Sequence, residues 1–276
     1  PEWDKNMDSI AIWANVYRQY WRINFLTALE YRANFLVWFA FTFIYHGTAL
    51  AALWIVLREF PVMNGWTFAE MAFLYSLWML AHALNNTLFL TVGDVPEHVR
   101  DGEIDRLFIR PLNPLFQVLT TPQQIFPDEL ILAILLFIMA TIWANPVIDV
   151  WFVVFVPLVV IGGSLIDFAI NLIIATCAFW FVKVDGLRWI AFQLEQEFTR
   201  YPISIYTKGV RLVLTFLLPY AFMNYFPATF FLDKTEDALH FAPQVGLLSP
   251  LVGVACFFVA YAFWRVGLNH YEGVGH

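Results

Sequence analysis

The feature that most constrains this chain is a recurrence of apolar runs about 20 residues long, the length a helix needs to cross a bilayer. Apolar residues make up 61% of the 276 residues and charged residues only 13%, which lies outside the range of soluble globular domains. The sequence therefore predicts an all-α integral membrane protein, with residues 1–276 forming a single transmembrane domain.

Six membrane spans are predicted from these runs, and they cover residues 33–57, 68–92, 126–145, 150–182, 187–206 and 246–267. The first two are joined by a short loop that contains Pro61 and Gly65, so we expect them to be antiparallel neighbours. Asn145 and Pro146 predict a tight turn between the third and fourth spans.

Two placements of the fifth span remain open. In the first, residues 187–206 cross the membrane in spite of four charged side chains, which are Arg188, Glu195, Glu197 and Arg200. In the second, that segment lies at the inner surface and residues 210–232 cross instead. Both placements give six spans with the same sidedness.

The orientation follows from the basic residues. Residues 8–32 have aromatic and aliphatic side chains at spacings of three and four, which predicts an amphipathic helix on the membrane surface. Its arginines flank the first span and place the N-terminus in the cytoplasm. Residues 93–125 then form the main cytoplasmic loop, and an even number of spans puts the C-terminus on the same side. We expect a multi-pass protein of the bacterial inner (cytoplasmic) membrane.

Charge and cysteine content exclude several classes of function. The formal net charge is −7 and no basic cluster is present, so nucleic acid is not an expected partner. The two cysteines, Cys177 and Cys256, both lie inside apolar runs, which argues against a disulfide framework or a zinc site.

The cytoplasmic loop has the local pattern of a short amphipathic helix. Asp94 is a plausible N-cap with Glu97 three residues later, and Gly102 suits the C-terminal cap. A second apolar turn, residues 104–109, ends where Arg110 precedes Pro111. A helix of this kind, joined to a span, could transmit movement from a soluble motor, although periodicity alone favours a solvated surface helix.

The run at residues 101–114, Asp-Gly-Glu-Ile-Asp-Arg-Leu-Phe-Ile-Arg-Pro-Leu-Asn-Pro, resembles the I-x-x-G-x-L-D-x-L-L-x-R-P-L-N-P-L signature of permeases in the ABC type-2 exporter family. Phe108 and Ile109 replace the usual leucines. In that family the loop carries the coupling helix that docks on the ATPase. The resemblance thus implies a set of ATPase-coupling residues, which are Asp94, Glu97, Arg100, Gly102, Glu103, Asp105, Arg106, Arg110 and Pro111.

A second segment, residues 200–228, is similar to the Y-P-I-S-I-Y-P-x-x-L-R and I-P-x-A-F-x-x-x-P-A motifs of the same family, with Thr207 where proline is common. In related exporters this region is a re-entrant hairpin on the outer side, between the fifth and sixth spans. The resemblance therefore implies a hairpin at about residues 207–232 and favours residues 187–206 as the fifth span.

The energy source is expected to lie in a separate subunit. The sequence contains no G-x-x-x-x-G-K-[ST] motif and no Gly-Lys dipeptide, so the chain lacks the residues that hold nucleotide phosphates. We expect no enzymatic activity and no cofactor or metal in this chain, with ATP and Mg²⁺ bound by the partner. The implied partners are ABC ATPase subunits, a second permease subunit and the lipid bilayer.

Several polar residues lie at predicted membrane depth, where facing lipid is costly. They either tie helices together or line a translocation path, and Asp167 is the most informative because a buried carboxylate must be paired or protonated. The candidate path residues are His46, His82, Asn85, Asn86, Asp167, Asn171, Glu195 and Glu197.

Efflux of an amphiphile such as a lipid, drug or peptide is the predicted function. A membrane enzyme acting on lipids is one alternative, but the six histidines are scattered and no H-E-x-x-H motif occurs. An ion-driven carrier is another, although it commonly has internal repeats, which this sequence lacks. A structural assembly factor is the third.

Overall fold

A computed structural model describes residues 32–109, 113–121, 127–181, 183–234 and 243–271, together with residues 15, 18, 19, 22, 23, 26, 239 and 241. The predicted interfacial helix at residues 8–32 falls mostly outside the described residues. Arg110 and Pro111 of the predicted coupling set also lie outside them, and the side chain of Arg106 is not described.

The regular elements of the described segments are helical, with no strand among them, so the prediction of an all-α membrane protein is confirmed. The α-helices are α1 (Arg32–Glu59), α2 (Phe68–Phe89), α3 (Val95–Arg100), α4 (Ile104–Ile109), α5 (Pro114–Leu119), α6 (Asp128–Ala144), α7 (Val150–Thr176), α8 (Asp185–Thr199), α9 (Lys208–Leu212), α10 (Tyr225–Phe231) and α11 (Ser249–His270). A 3₁₀ segment, Leu90–Asp94, joins α2 to α3, and a π-helical turn, Val213–Leu217, extends α9.

Three helices in the described part of the chain are long and apolar enough to cross a membrane: Ala33–Glu59, Val150–Phe179 and Gln244–His270. Two further helices, Lys208–Leu217 and Tyr220–Phe231, meet that criterion only as a pair, and they are bent by 76° at their junction. By length and composition the structure thus has three or four candidate spans, and the count of six stays a prediction.

The helix boundaries follow from local chemistry. At the start of α2, the Thr67 backbone N–H donates to Glu70 Oε2 at 2.8 Å and the Glu70 N–H donates to Thr67 Oγ1 at 3.5 Å, which is a capping box. At the start of α7, Asp149 accepts from the N–H of Phe152 at 2.8 Å. Asn145 ends α6 with a φ of 48°, which confirms the predicted turn.

Helix α2 is the centre of the bundle. Residues 71–83 are all buried, and α2 packs against α6, α7 and α10. A helix that is apolar all round is expected in such a position. Helix α1 is the opposite case, because its aromatic and aliphatic side chains are mostly exposed, as contact with lipid tails requires.

The bent pair at 208–231 passes from a largely exposed first helix to a buried second helix. Beyond the junction, Asn224 donates to the backbone carbonyl of Thr199 at 2.7 Å. After α10, Lys234 reaches the loop between α1 and α2, where its Nζ donates to the carbonyl of Gly65 at 2.7 Å and lies 2.6 Å from Glu70 Oε1. This path is compatible with both a broken span and the predicted re-entrant hairpin.

Candidate functional site

A group of ionisable and amide side chains meets inside the bundle, and we call it the polar cluster. It draws on five helices: α1 supplies one member, α2 four, α6 one, α7 two and α8 one. Its members are His46, Tyr75, Trp78, His82, Asn86, Glu129, Asp167, Asn171 and Glu195.

His82 lies at the centre of the polar cluster. Its Nδ1 is 2.8 Å from Asp167 Oδ2 and 3.1 Å from Glu195 Oε1. Its Nε2 faces the other way, 3.1 Å from Asn86 Nδ2 and 4.0 Å from Glu129 Oε1. His82 is 8% exposed, Glu195 3% and Asp167 0%, so the imidazole bridges two carboxylates that are almost fully removed from solvent.

Glu129 connects the second histidine to the polar cluster. It accepts from Asn86 Nδ2 at 2.9 Å and lies 3.6 Å from His46 Nε2. The other ring nitrogen of His46 is 2.7 Å from the hydroxyl of Tyr75. Helices α1, α2 and α6 are therefore joined by side-chain contacts at one level of the bundle.

The buried carboxylates are also held by neutral donors. Asn171, one helical turn after Asp167, donates to its Oδ1 at 2.7 Å. Trp78 Nε1 donates to Glu195 Oε1 at 2.9 Å, and the Trp78 ring stacks on His82 with centroids 5.2 Å apart. These contacts fix the orientation of each ionisable side chain.

The balance of charge in the polar cluster is negative. Three carboxylates, Glu129, Asp167 and Glu195, face two histidines, and within the described part of the chain no lysine or arginine forms a salt bridge with them. Because an uncompensated buried carboxylate is costly, this arrangement favours a bound proton or another cation.

A cavity of about 400 Å³ adjoins the polar cluster. Its wall combines three aromatic rings with charged and amide groups, and the lining residues are His82, Asn86, Ile170, Asn171, Asp185, Arg188, Trp189, Ala191, Phe192, Glu195 and Tyr220. Arg188 donates to the backbone carbonyl of Gly93 at 2.7 Å, so the cavity reaches the end of the bundle from which the loop after α2 emerges.

That loop begins with α3, and the caps of this helix agree only in part with those predicted from the sequence. Gly102 has a φ of +70°, and the N–H groups of Gly102 and Glu103 bond the carbonyls of Val99 and His98 at 3.3 and 2.9 Å. This is a Schellman cap, as glycine at that position predicts. The expected capping box is not formed, because Asp94 already has helical backbone angles in the preceding 3₁₀ segment and its side chain makes no capping bond.

The inner face of the loop is anchored to the bundle. Val95 and Ile104 are fully buried, and Val95, Leu115 and Val118 belong to one apolar group with residues of α7 and α11, among them Trp264. Asn113 caps α5 through the N–H of Leu115 at 2.9 Å and donates to the hydroxyl of Tyr261 at 2.8 Å. The described residues of α3 and α5 therefore rest directly on α7 and α11.

The outer face of the loop is exposed and charged. Glu97, Arg100 and Asp105 are exposed, and Ile109 is 83% exposed. Asp94, Gly102 and Glu103 of the predicted coupling set are partly buried, and Glu103 Oε2 contacts His98 Nδ1 at 2.7 Å.

Residues 43–275 match the family described as ABC-2 family transporter protein. The chain belongs to the ABC-2 transporter family. It is accordingly a multi-pass membrane permease component of an ABC transporter, and members of this family are not themselves catalytic. The family implies partnership with an ABC ATPase. The match favours transport over the lipid-enzyme and ion-driven alternatives. Comparisons with curated proteins and with solved structures gave no match.

In this permease, most of the predicted path residues lie together. His46, His82, Asn86, Asp167, Asn171 and Glu195 are all members of the polar cluster. Asn85 is 4% exposed, but its Oδ1 has no hydrogen-bond partner among the described residues. Glu197 points away from the polar cluster, because it is exposed and lies 3.8 Å from Arg200.

Four residues of the polar cluster and its cavity were not predicted from the sequence: Glu129, Trp78, Tyr75 and Tyr220. Glu129 is in the first turn of α6, where an acidic residue is normally explained by the helix dipole at the membrane surface. Its contacts with His46 and Asn86 show that this turn lies within the bundle. The two aromatic residues of α2 lie one and two helical turns before His82, so a search along that face would have found them.

Proposed function

We propose that this permease is the membrane subunit of an ABC exporter, forming half of the translocation pathway and driven by a separate ATPase that binds residues 94–112. A second permease subunit, identical or paralogous, supplies the other half. The observation that carries the proposal is the two-sided loop, whose inner face packs on α7 and α11 while its outer face presents charged side chains and Ile109.

Force applied to the outer face has a short route to the polar cluster. Helix α3 follows α2 through a single 3₁₀ segment, and α2 carries His82. Arg188 links the same segment to α8, which carries Glu195, while Val95 packs near α7, which carries Asp167. Displacement of the loop would therefore move all three side chains, as alternating access requires.

The proposed substrate is an amphiphile such as a lipid, a drug or a peptide. Trp189, Phe192 and Tyr220 give the cavity aromatic surface, whereas Asp185, Glu195 and the amides give it polar surface. Ligand sites commonly combine apolar walls with a few convergent polar groups. In the proposed arrangement the permease has six spans, with both termini and the loop in the cytoplasm.

Charge reversal on the outer face tests the proposal. The double variant Glu97→Lys and Asp105→Lys should reduce co-purification of the ATPase about tenfold, because rim charges that meet a complementary surface become repulsive. The same variant should lose permease-stimulated ATP hydrolysis in proteoliposomes. Both quantities are measured with the full complex expressed from the permease and ATPase genes.

Glu59→Lys provides the matched control, since Glu59 is an exposed acidic residue at the end of α1. It should leave co-purification and hydrolysis unchanged. Equal ATPase binding by the double variant and the unaltered permease would refute docking on residues 94–112. Full export activity with no ATPase present would refute the exporter proposal as a whole.

A further inference from the structure

We propose that His82, Asp167 and Glu195 form a binding site for one divalent transition-metal ion. Each residue offers one donor atom, and the three atoms lie within 4.8 Å of one another. The donors come from α2, α7 and α8, which are distant in sequence, and all three residues are buried. The site does not depend on which substrate the permease exports.

The spacing of the donors is close to that of a metal site. Metal bonds to imidazole nitrogen and carboxylate oxygen are about 2.0–2.2 Å long, so adjacent donors in a tetrahedral site are about 3.4 Å apart. The Nδ1 of His82 is 2.8 Å from Asp167 Oδ2 and 3.1 Å from Glu195 Oε1. Outward movement of each carboxylate by about half an ångström would admit the ion.

Each carboxylate donor is oriented by an outer hydrogen bond, as in established metal sites. Asn171 donates to Asp167 Oδ1, leaving Oδ2 directed at His82. Trp78 donates to Glu195 Oε1 at 2.9 Å. Glu129 Oε1 lies 4.0 Å from the Nε2 of His82, so with the imidazole proton on Nε2 the Nδ1 lone pair faces Asp167 and Glu195. A histidine merely buried in a core would not need two carboxylates held in this way.

Charge and access also fit a cation. The polar cluster has three carboxylates and, among the described residues, only histidines within salt-bridge distance of them, so an ion of charge +2 would offset the surplus. The cavity provides a route to the site, because His82 and Glu195 line it together with Asp185.

The chemistry of the donors selects the ion. One imidazole nitrogen with two carboxylate oxygens suits Zn²⁺, Mn²⁺, Fe²⁺ or Co²⁺, whereas Mg²⁺ prefers an all-oxygen octahedron and retains several waters. Bound there, the ion would join α2, α7 and α8 at the level where the cavity ends, without catalysing a reaction.

The first experiment measures metal content in the unaltered permease, purified in detergent with a tag that contains no histidine. After incubation with Zn²⁺ and removal of free ion, elemental analysis should give about one Zn²⁺ per chain. Incubation with Mg²⁺ should give none. Co²⁺ should produce visible absorption bands of a low-symmetry site with nitrogen and oxygen ligands.

Two histidine variants then locate the ion. His82→Gln removes a proposed ligand, whereas His46→Gln makes the same change at another buried histidine that also contacts Glu129. We expect His82→Gln to weaken Zn²⁺ binding about 100-fold or more, and His46→Gln to bind like the unaltered permease. Glu195→Gln should behave like His82→Gln and replaces it if the latter does not yield monodisperse protein.

The outcomes separate the alternatives. Absence of stoichiometric Zn²⁺ or Co²⁺ in the unaltered permease would overturn the proposal and leave a proton shared by His82 and the two carboxylates. Equal loss of Zn²⁺ in His46→Gln and His82→Gln would also overturn the assigned ligands. Neither result bears on ATPase docking, which the charge-reversal experiment tests separately.

Discussion

Single residues show how this permease tolerates charge inside its bundle. Asp167 is fully buried, yet its Oδ1 accepts a hydrogen bond from Asn171 and its Oδ2 contacts His82, so both carboxylate oxygens have a polar partner. Other buried polar atoms of the described residues have no partner, such as Ser164 Oγ on the same helix. Hydrogen bonds in this part of the bundle are therefore made to the buried carboxylates and not to every buried polar atom.

Trp78 provides a test of that network. Trp78→Phe removes the donor to Glu195 and leaves a buried carboxylate oxygen short of a hydrogen bond. We expect a loss of about 1–3 kcal/mol in the free energy of unfolding beyond the loss of packing. The measurement is reversible unfolding in mixed micelles.

Trp264→Phe serves as the control for Trp78→Phe. Trp264 is likewise 0% exposed, but its Nε1 has no hydrogen-bond partner in the described part of the chain. The two substitutions therefore remove similar ring volume and differ in the bond to Glu195. Equal destabilisation by both would show that this hydrogen bond contributes nothing to stability.

At the level of helices, the long apolar runs determine boundaries well. The predicted span 68–92 corresponds to α2 with its 3₁₀ extension, and 150–182 corresponds to α7 with the turn after it. The N-cap residues Thr67 and Asp149 mark where α2 and α7 begin. The helix in segment 187–206 was harder to predict because its charged and apolar residues alternate. In the structure, α8 is a 15-residue amphipathic helix.

The polar cluster could be predicted only in part. Polar residues inside apolar runs identified His82 and Asp167, because such residues turn away from lipid. Their pairing depends on the register between α2 and α7, which no local pattern encodes. In the structure that register includes a contact of Gly163 with Ala81, where a Cβ on Gly163 would lie 2.8 Å from the Ala81 Cβ.

Gly163→Val tests this helix contact. The added Cβ would lie 2.8 Å from the Cβ of Ala81, which is too close for two carbon atoms, so α2 and α7 must separate. We expect a loss of about 1–3 kcal/mol in the free energy of unfolding. The contact between His82 of α2 and Asp167 of α7 should also be weakened, because the two helices move apart. Thermal unfolding in detergent measures the first effect.

Gly47→Val is the control for the same change, since Gly47 lies within α1 and a Cβ there meets nothing within 4 Å. It should lower stability far less than Gly163→Val. If both variants unfold at the same temperature, the α2–α7 approach does not limit stability, and the register must be set elsewhere.

At the scale of the whole molecule, the two ends of the cavity adjoin different parts of the permease. One end is the polar cluster, and the other lies beside the loop that we propose binds the ATPase. Arg188 stands between them, because it lines the cavity and donates to the carbonyl of Gly93 where α2 passes into α3. We therefore expect movement of the loop to reshape the cavity in part through this hydrogen bond.

Replacing Arg188 should separate binding from transport. In Arg188→Ala the loop keeps its charged outer face and its apolar anchors, so ATPase co-purification should stay within about twofold of the unaltered permease. The charge-assisted bond to Gly93 is lost, and because Arg188 is exposed the bond is worth about 1.5 kcal/mol, the low end of the range for charged groups. Export per ATP hydrolysed should accordingly fall about tenfold in proteoliposomes.

Arg58→Ala, at the exposed end of α1, should change neither quantity, because the ring of Trp54 is the polar or aromatic partner of Arg58 among the described residues. Loss of ATPase binding in Arg188→Ala would place Arg188 in the docking surface, and unchanged export would remove it from the coupling route.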